Sequence, residues 1–116
     1  MIKSRKDLLE FWEEQMKLSH TSSNYFFRKS PSHYHMMLIV MHAYKYEENL
    51  SVEELKTKLF KTSRPKSALM IKEACDKNFF ILEKKGKDNR KKYVIPTPEF
   101  VGEFNDYLKT LKNLSF

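Results

Sequence analysis

Between Ser51 and Pro98 the chain is punctuated so closely by start and stop signals that only short elements fit. Ser51 followed by Glu54 has capping-box spacing, in which hydroxyl and carboxylate satisfy each other's backbone N–H groups. Val52, Leu55 and Leu59 then recur at helical intervals, which predicts a short helix stopping near Phe60. After a tight turn, Ser63 can cap a second helix with Pro65 in its first turn, and Met70, Ile71, Ala74 and Cys75 give that helix an inward face up to Lys77 or Asn78. Asn78 is a candidate left-handed stop, because asparagine tolerates positive φ better than most residues. Phe79–Glu83 and Lys91–Ile95 are β-prone segments flanking Lys85, Gly86, Lys87, Asp88 and Asn89, the pattern of a hairpin with a charged tip. Pro96 and Pro98 end it.

The flanks read as helices. Ser4 and Asp7 are a plausible cap for residues 4–18, where Leu8, Leu9, Trp12 and Met16 recur at spacings of three and four. Residues 19–30 lose that period and predict a connection pinned to the body by Tyr25, Phe26 and Phe27. Ser30 and Pro31 open a helix running to about Tyr46, and its centre, Met36 to Met41, is apolar nearly all round, as in a buried helix. Phe100, Val101, Phe104, Tyr107, Leu108, Leu111 and Leu114 carry a helical stripe through residues 98–115. The chain of 116 residues therefore reads as one domain, mainly α with a small antiparallel β-hairpin, an α+β class, with terminal helices at 4–18 and 98–115 and the two short helices and hairpin forming a unit over residues 50–97.

Charge placement narrows the function. Residues 56–92 hold thirteen Lys and Arg against four Asp and Glu, whereas the rest of the chain is slightly acidic, so the whole of the net +7 originates in one region. A basic middle between near-neutral flanks is the footprint of a polyanion-binding surface. The run Met36–Met41 is far short of the roughly 18 residues a membrane-spanning helix needs, so no membrane partner is expected. Asp7 and Glu10 interrupt the apolar start, which does not resemble a secretion signal, and a cytoplasmic location is expected. The lone Cys75 permits no internal disulfide. No Ser-His-Asp order, glycine-rich phosphate loop or paired acidic motif suggests catalysis, so the expectation is a non-enzyme without a cofactor.

Two short helices, a tight turn and a basic hairpin form the winged helix-turn-helix pattern, in which the second helix enters the DNA major groove and the hairpin is the wing. From Leu50 to Thr97 the chain resembles the MarR-type winged-helix transcription regulators, on the stretches LSVEELKTKLF, SRPKSALMIKEACDKNFFI and DNRKKYVIPT. The last is the most specific, with Asp88 and Arg90 as the wing's Asp-x-Arg pair and Pro96–Thr97 as the step closing the β segment. Asn78 stands where the family favours glycine. The resemblance implies that Arg90 reaches into or beside the minor groove while Asp88 orients it, in keeping with bidentate Arg–carboxylate chemistry. It also implies a homodimer formed by the terminal helices, with Trp12, Phe104, Leu108 and Leu111 as dimerisation residues; the alternative is that these stripes pack onto the domain's own core.

The expected partner is double-stranded DNA. Lys56, Lys58 and Lys61 would neutralise phosphates; Ser63, Arg64, Lys66 and Ser67 would meet the major groove; and Lys87, Arg90 and Lys91 would hold the flanking backbone and minor groove. An ordinary cap with solvated lysines is the plainer reading of residues 63–67. A winged-helix module that docks a protein partner or RNA is the alternative function. The resemblance allows a small-molecule effector between Trp12, Tyr25, Phe26, Phe27 and His42, residues whose more common use is core packing. His33 and His35 cannot face the same way on a helix, and with His20 and His42 they lack ligand-spaced partners, so no metal site is expected. Cys75 beside Ala74 reads as an inward-facing, inert thiol rather than a redox sensor.

Overall fold

A computed structural model describes residues 5–18, 22–85 and 90–114. The elements are α1 (Arg5–Met16), α2 (Ser23–Phe27), α3 (Pro31–Lys45), α4 (Val52–Lys58), α5 (Arg64–Asp76), β1 (Phe80–Lys84), β2 (Lys92–Pro96) and α6 (Pro98–Lys112). The architecture is mainly helical with one antiparallel hairpin. Ser22, Ser30, Ser51, Ser63 and Thr97 each begin a helix by accepting a hydrogen bond from the backbone N–H three residues on, which satisfies one of the orphan donors there. At Ser51 the box is complete, with the Ser51 N–H donating to Glu54 Oε1 at 3.2 Å and the Glu54 N–H donating to Ser51 Oγ at 3.1 Å.

Two helix ends close alike. At the end of α5, the Phe79 N–H reaches the Ala74 carbonyl and the Asn78 N–H that of Cys75, with Asn78 at φ 66°, the left-handed stop that its side chain predicts. At the end of α3, Glu48 and Glu47 bond to Ala43 and Tyr44 in the same pattern, and Glu47 takes φ 54°. A glutamate has no comparable ease with that conformation, so the sequence gives no warning of this turn.

The hairpin pairs Phe80 with Pro96 through Lys84 with Lys92, one residue later on each strand than expected. Its base is fixed to the body: the Val94 N–H donates to the Leu50 carbonyl at 2.8 Å, and Ser51 bridges to Tyr93. The segment leading into α4 thus lies along β2 and ties the start of α4 to the hairpin. β1 is buried at Phe80 and exposed beyond it, so the hairpin projects outward from its root.

Residues 22–30 differ from the expected plain connection, because α2 forms within them. The reason is tertiary. Phe26 and Phe27 are fully buried, and Phe27 sits at the centre of an aromatic cluster with Phe26, Phe79, Phe80 and Phe100 at ring distances of 4.9–5.6 Å. This cluster welds α2, the hairpin root and α6 together. Around it Met36, Val40, Leu55, Leu59, Met70 and Ala74 complete the core. α3 is not buried all round: Leu38 is exposed on the side bordering α4, and Tyr44 is exposed on the side bordering the hairpin.

The terminal stripes divide. Phe104, expected at a dimer interface, is buried in this chain's own core 6.1 Å from the Phe100 ring, and Leu108 packs half-buried against the same core. The first turns of α6 bring those positions over the aromatic cluster, so Phe104 is not a surface residue. Leu111 remains exposed, and so do Leu8, Leu9 and Met16 of α1; Trp12 is half-exposed but lies against the Arg28 guanidinium. α1 is held by polar contacts: the Arg28 guanidinium donates to the Gln15 carbonyl, and Asn24 Nδ2 donates to Gln15 Oε1 at 3.3 Å. No helix among the described residues is long and apolar enough to cross a membrane.

Candidate nucleic-acid interface

Cations from three elements converge on the N-terminal turn of α4. Glu53 lies there between the Lys56 ammonium, 3.5 Å away, and the Arg64 guanidinium, with which it forms a hydrogen-bonded ion pair across the α4–α5 turn. On the other side of the same turn, Ser51, Val52 and Glu53 face Leu82, Arg90, Lys91 and Lys92 of the hairpin across a recess of about 310 Å³. The Ser51 backbone N–H, then its hydroxyl, hold the Glu54 carboxyl below the usual carboxylate range, and the Lys91 and Lys58 ammonium groups push the same way. Lys56, Arg64, Arg90 and Lys91 therefore border the first turn of α4, with the Lys56 side chain largely buried, whereas Lys58, two residues on from Lys56, lies on the α3 side of the helix beside His35, Leu38 and Phe60.

The hairpin itself is crowded with positive charge. Lys84 stands directly opposite Lys92, a like-charged cross-strand pair that is unfavourable unless an anion comes between. Lys85 is drawn aside, donating to Asn49 Oδ1 at 3.2 Å and lying over the Tyr93 ring. Lys87 and Asp88 lie outside the described residues, so the Asp-x-Arg geometry is not described.

At the start of α5, Ser63 is spent on its own cap, accepting from the Lys66 N–H at 3.2 Å, and Lys66 is exposed. Lys61, in the turn before it, is exposed as well. Ser67 is a correction: it is fully buried and its hydroxyl is hydrogen-bonded to Thr62 Oγ1, so it cannot meet a base edge. The helical phase explains this, since Ser67 shares its face with Met70, Ile71 and Ala74. Farther along, Lys72 is paired with Asp76 at 2.8 Å, which holds its ammonium above the usual lysine range. Two features had no sequence expectation. Glu53 links elements eleven residues apart, which no periodicity reveals, whereas the outward position of Leu69 follows from the same phase that buries Ser67.

A second concavity, about 330 Å³, lies between α1, α2, α3 and α6. Trp12, Phe27, Arg28, Tyr34, Met37 and Tyr107 line it. The Tyr34 and Tyr107 hydroxyls bond to each other at 2.9 Å, and burial, then that bond, push the Tyr107 hydroxyl up from its ordinary range. Of the expected effector residues, Trp12 and Phe27 reach this cavity. Phe26 is core, Tyr25 packs beside Arg28, and His42 lies on the far side of α3 near Glu48. The described histidines are scattered: His33 Nδ1 is 2.7 Å from Ser30 Oγ, and the His35 ring packs on Phe60. No group of three metal-ligating side chains occurs among the described residues. Cys75 is half-buried, and burial raises its thiol above the ordinary range, which favours the protonated form.

No protein-family model, curated protein or solved structure matches the chain.

Proposed function

We propose that this protein is a winged helix-turn-helix regulator of the MarR type that binds duplex DNA sequence-specifically as a homodimer. On this reading α5 lies in the major groove and the hairpin is the wing, with α4 bracing both against the backbone. The observation that carries it is the convergence of Arg64, Lys56 and the hairpin cations Arg90, Lys91 and Lys92 around the first turn of α4, beside the unfavourable Lys84–Lys92 pair. A phosphate backbone supplies the negative charge that such a face lacks. The homodimer is supported by α1, whose Leu8, Leu9, Trp12 and Met16 would be covered by a second copy together with Leu111. The 330 Å³ cavity beside Trp12 is the place a small-molecule effector would occupy, being within the size range of ligand pockets.

A second reading, a winged-helix module docking a protein partner, is favoured by Phe60, a large apolar side chain 75% exposed at the α4–α5 turn. Fluorescence anisotropy separates the two. Duplex DNA should bind with an affinity that falls steeply with salt, and an RNA duplex of the same sequence should bind more weakly, because its deep, narrow major groove does not admit a helix. Absence of DNA binding at 50 mM salt, or equal binding to both duplexes, would overturn the DNA reading.

A further inference from the structure

We propose that Leu69 is a specificity-determining residue that reads the 5-methyl group of thymine in the major groove; this rests on α5 being the recognition helix. Leu69 lies in the middle of α5 and is 56% exposed, although Met70 and Ile71 beside it are buried. Its neighbours on the helix surface, three and four residues away, are Pro65, Lys66, Lys72 and Glu73. The groups that would read base edges by hydrogen bonding are mostly engaged elsewhere: Arg64 by Glu53, Lys72 by Asp76, and Ser67 by Thr62 within the core. What the second turn of α5 presents outward is therefore an aliphatic side chain with Lys66 one turn before it and Lys72 and Glu73 one turn after it.

The flanking charge decides what covers it. Lys66 and Lys72 are exposed on α5 one turn before and one turn after Leu69, and an apolar protein surface brought against that face would have to bury both ammonium groups. A duplex brings phosphates to the lysines and base edges to the helix face between them. Among the four bases, thymine alone carries an apolar group on its major-groove edge, so an outward leucine on a helix in that groove has one matching chemistry.

The test uses alternating A–T and A–U duplexes, which differ only in the thymine methyl, with the parent protein and Leu69→Ala. Leu69 is outside the core, and circular dichroism of the variant checks that it folds. The parent should prefer the A–T duplex by about fourfold for each methyl contacted. Leu69→Ala should bind A–T more weakly and lose the preference, giving a non-additive cycle. An alternating G–C duplex should gain affinity for the parent, and not for the variant, when its cytosines are 5-methylated. Equal binding of A–T and A–U by the parent, or an unchanged preference in Leu69→Ala, would overturn the role of Leu69 while leaving DNA binding standing. Failure to bind any of these duplexes would overturn both.

Discussion

Glu53→Gln is the most informative single change, because it alters charge at the proposed interface while barely altering shape. In the folded chain Glu53 neutralises part of the charge of Lys56 and Arg64. The Arg64 pair is exposed on both sides, so its worth to stability is about 0.2–1 kcal/mol, and loss of a carboxylate from the first turn of α4 adds a comparable helix-dipole term. Melting should fall by only a few degrees, roughly 4 °C per kcal/mol for a chain of this size. Duplex binding should move the other way. A carboxylate about 7 Å from a phosphate costs about 0.6 kcal/mol even at the dielectric constant of water, so the variant should bind at least about threefold more tightly.

Releasing one cation to the backbone should also steepen the slope of log affinity against log salt by about 0.9, so that roughly 3.5-fold of the gain disappears between 50 and 200 mM salt. The assay is anisotropy across a salt series, run on the parent, Glu53→Gln, Arg64→Ala and the double variant. The gain should shrink in the Arg64→Ala background, because the cation that Glu53 restrains is then gone. Unchanged affinity and slope in Glu53→Gln would refute the placement of the Glu53–Arg64 pair at a phosphate-facing surface.

Two further predictions concern the scaffold. His33 is buried against Phe26, and burial, followed by Lys29 and Lys66 and opposed by Glu73, holds its imidazole below its ordinary value of 6.5. The folded chain therefore binds its proton less readily than the unfolded one. Stability should be fully retained above pH 6.5 and decline as pH falls from there toward the lowered value, and urea titrations should show that component vanish in His33→Gln. At the left-handed turn after α3, Glu47→Gly should stabilise by about 0.5–1 kcal/mol in chemical denaturation, with a smaller gain for Asn78→Gly, since asparagine already tolerates that conformation.

Much of the fold is legible in the sequence where a local signal and the global packing agree. Ser30–Pro31, Ser51 with Glu54 and Ser63 with Pro65 mark helix starts because a hydroxyl at that position satisfies a donor that nothing else can reach. α2 escapes such reading: five residues span barely more than a turn, and it persists because Phe26 and Phe27 are gripped by aromatics from the hairpin root and α6. The stripe on α6 identifies an apolar face without saying what covers it, which is why Phe104 reads in the sequence as an interface residue although it belongs to the core. At the candidate interface the cations are visible as composition, but their convergence is not. It depends on the bridge from Ser51 to Tyr93 and on the angle at which α5 brings Arg64 back to Glu53.

The central claim, sequence-specific recognition of duplex DNA by a symmetric pair of α5 helices, is tested most directly by selecting bound molecules from a random-sequence duplex pool. The proposed function predicts enrichment of one site with two-fold symmetry, its half-sites about one helical turn of DNA apart or a multiple of it. Recovery of unenriched sequence, with binding that depends on salt alone, would contradict it.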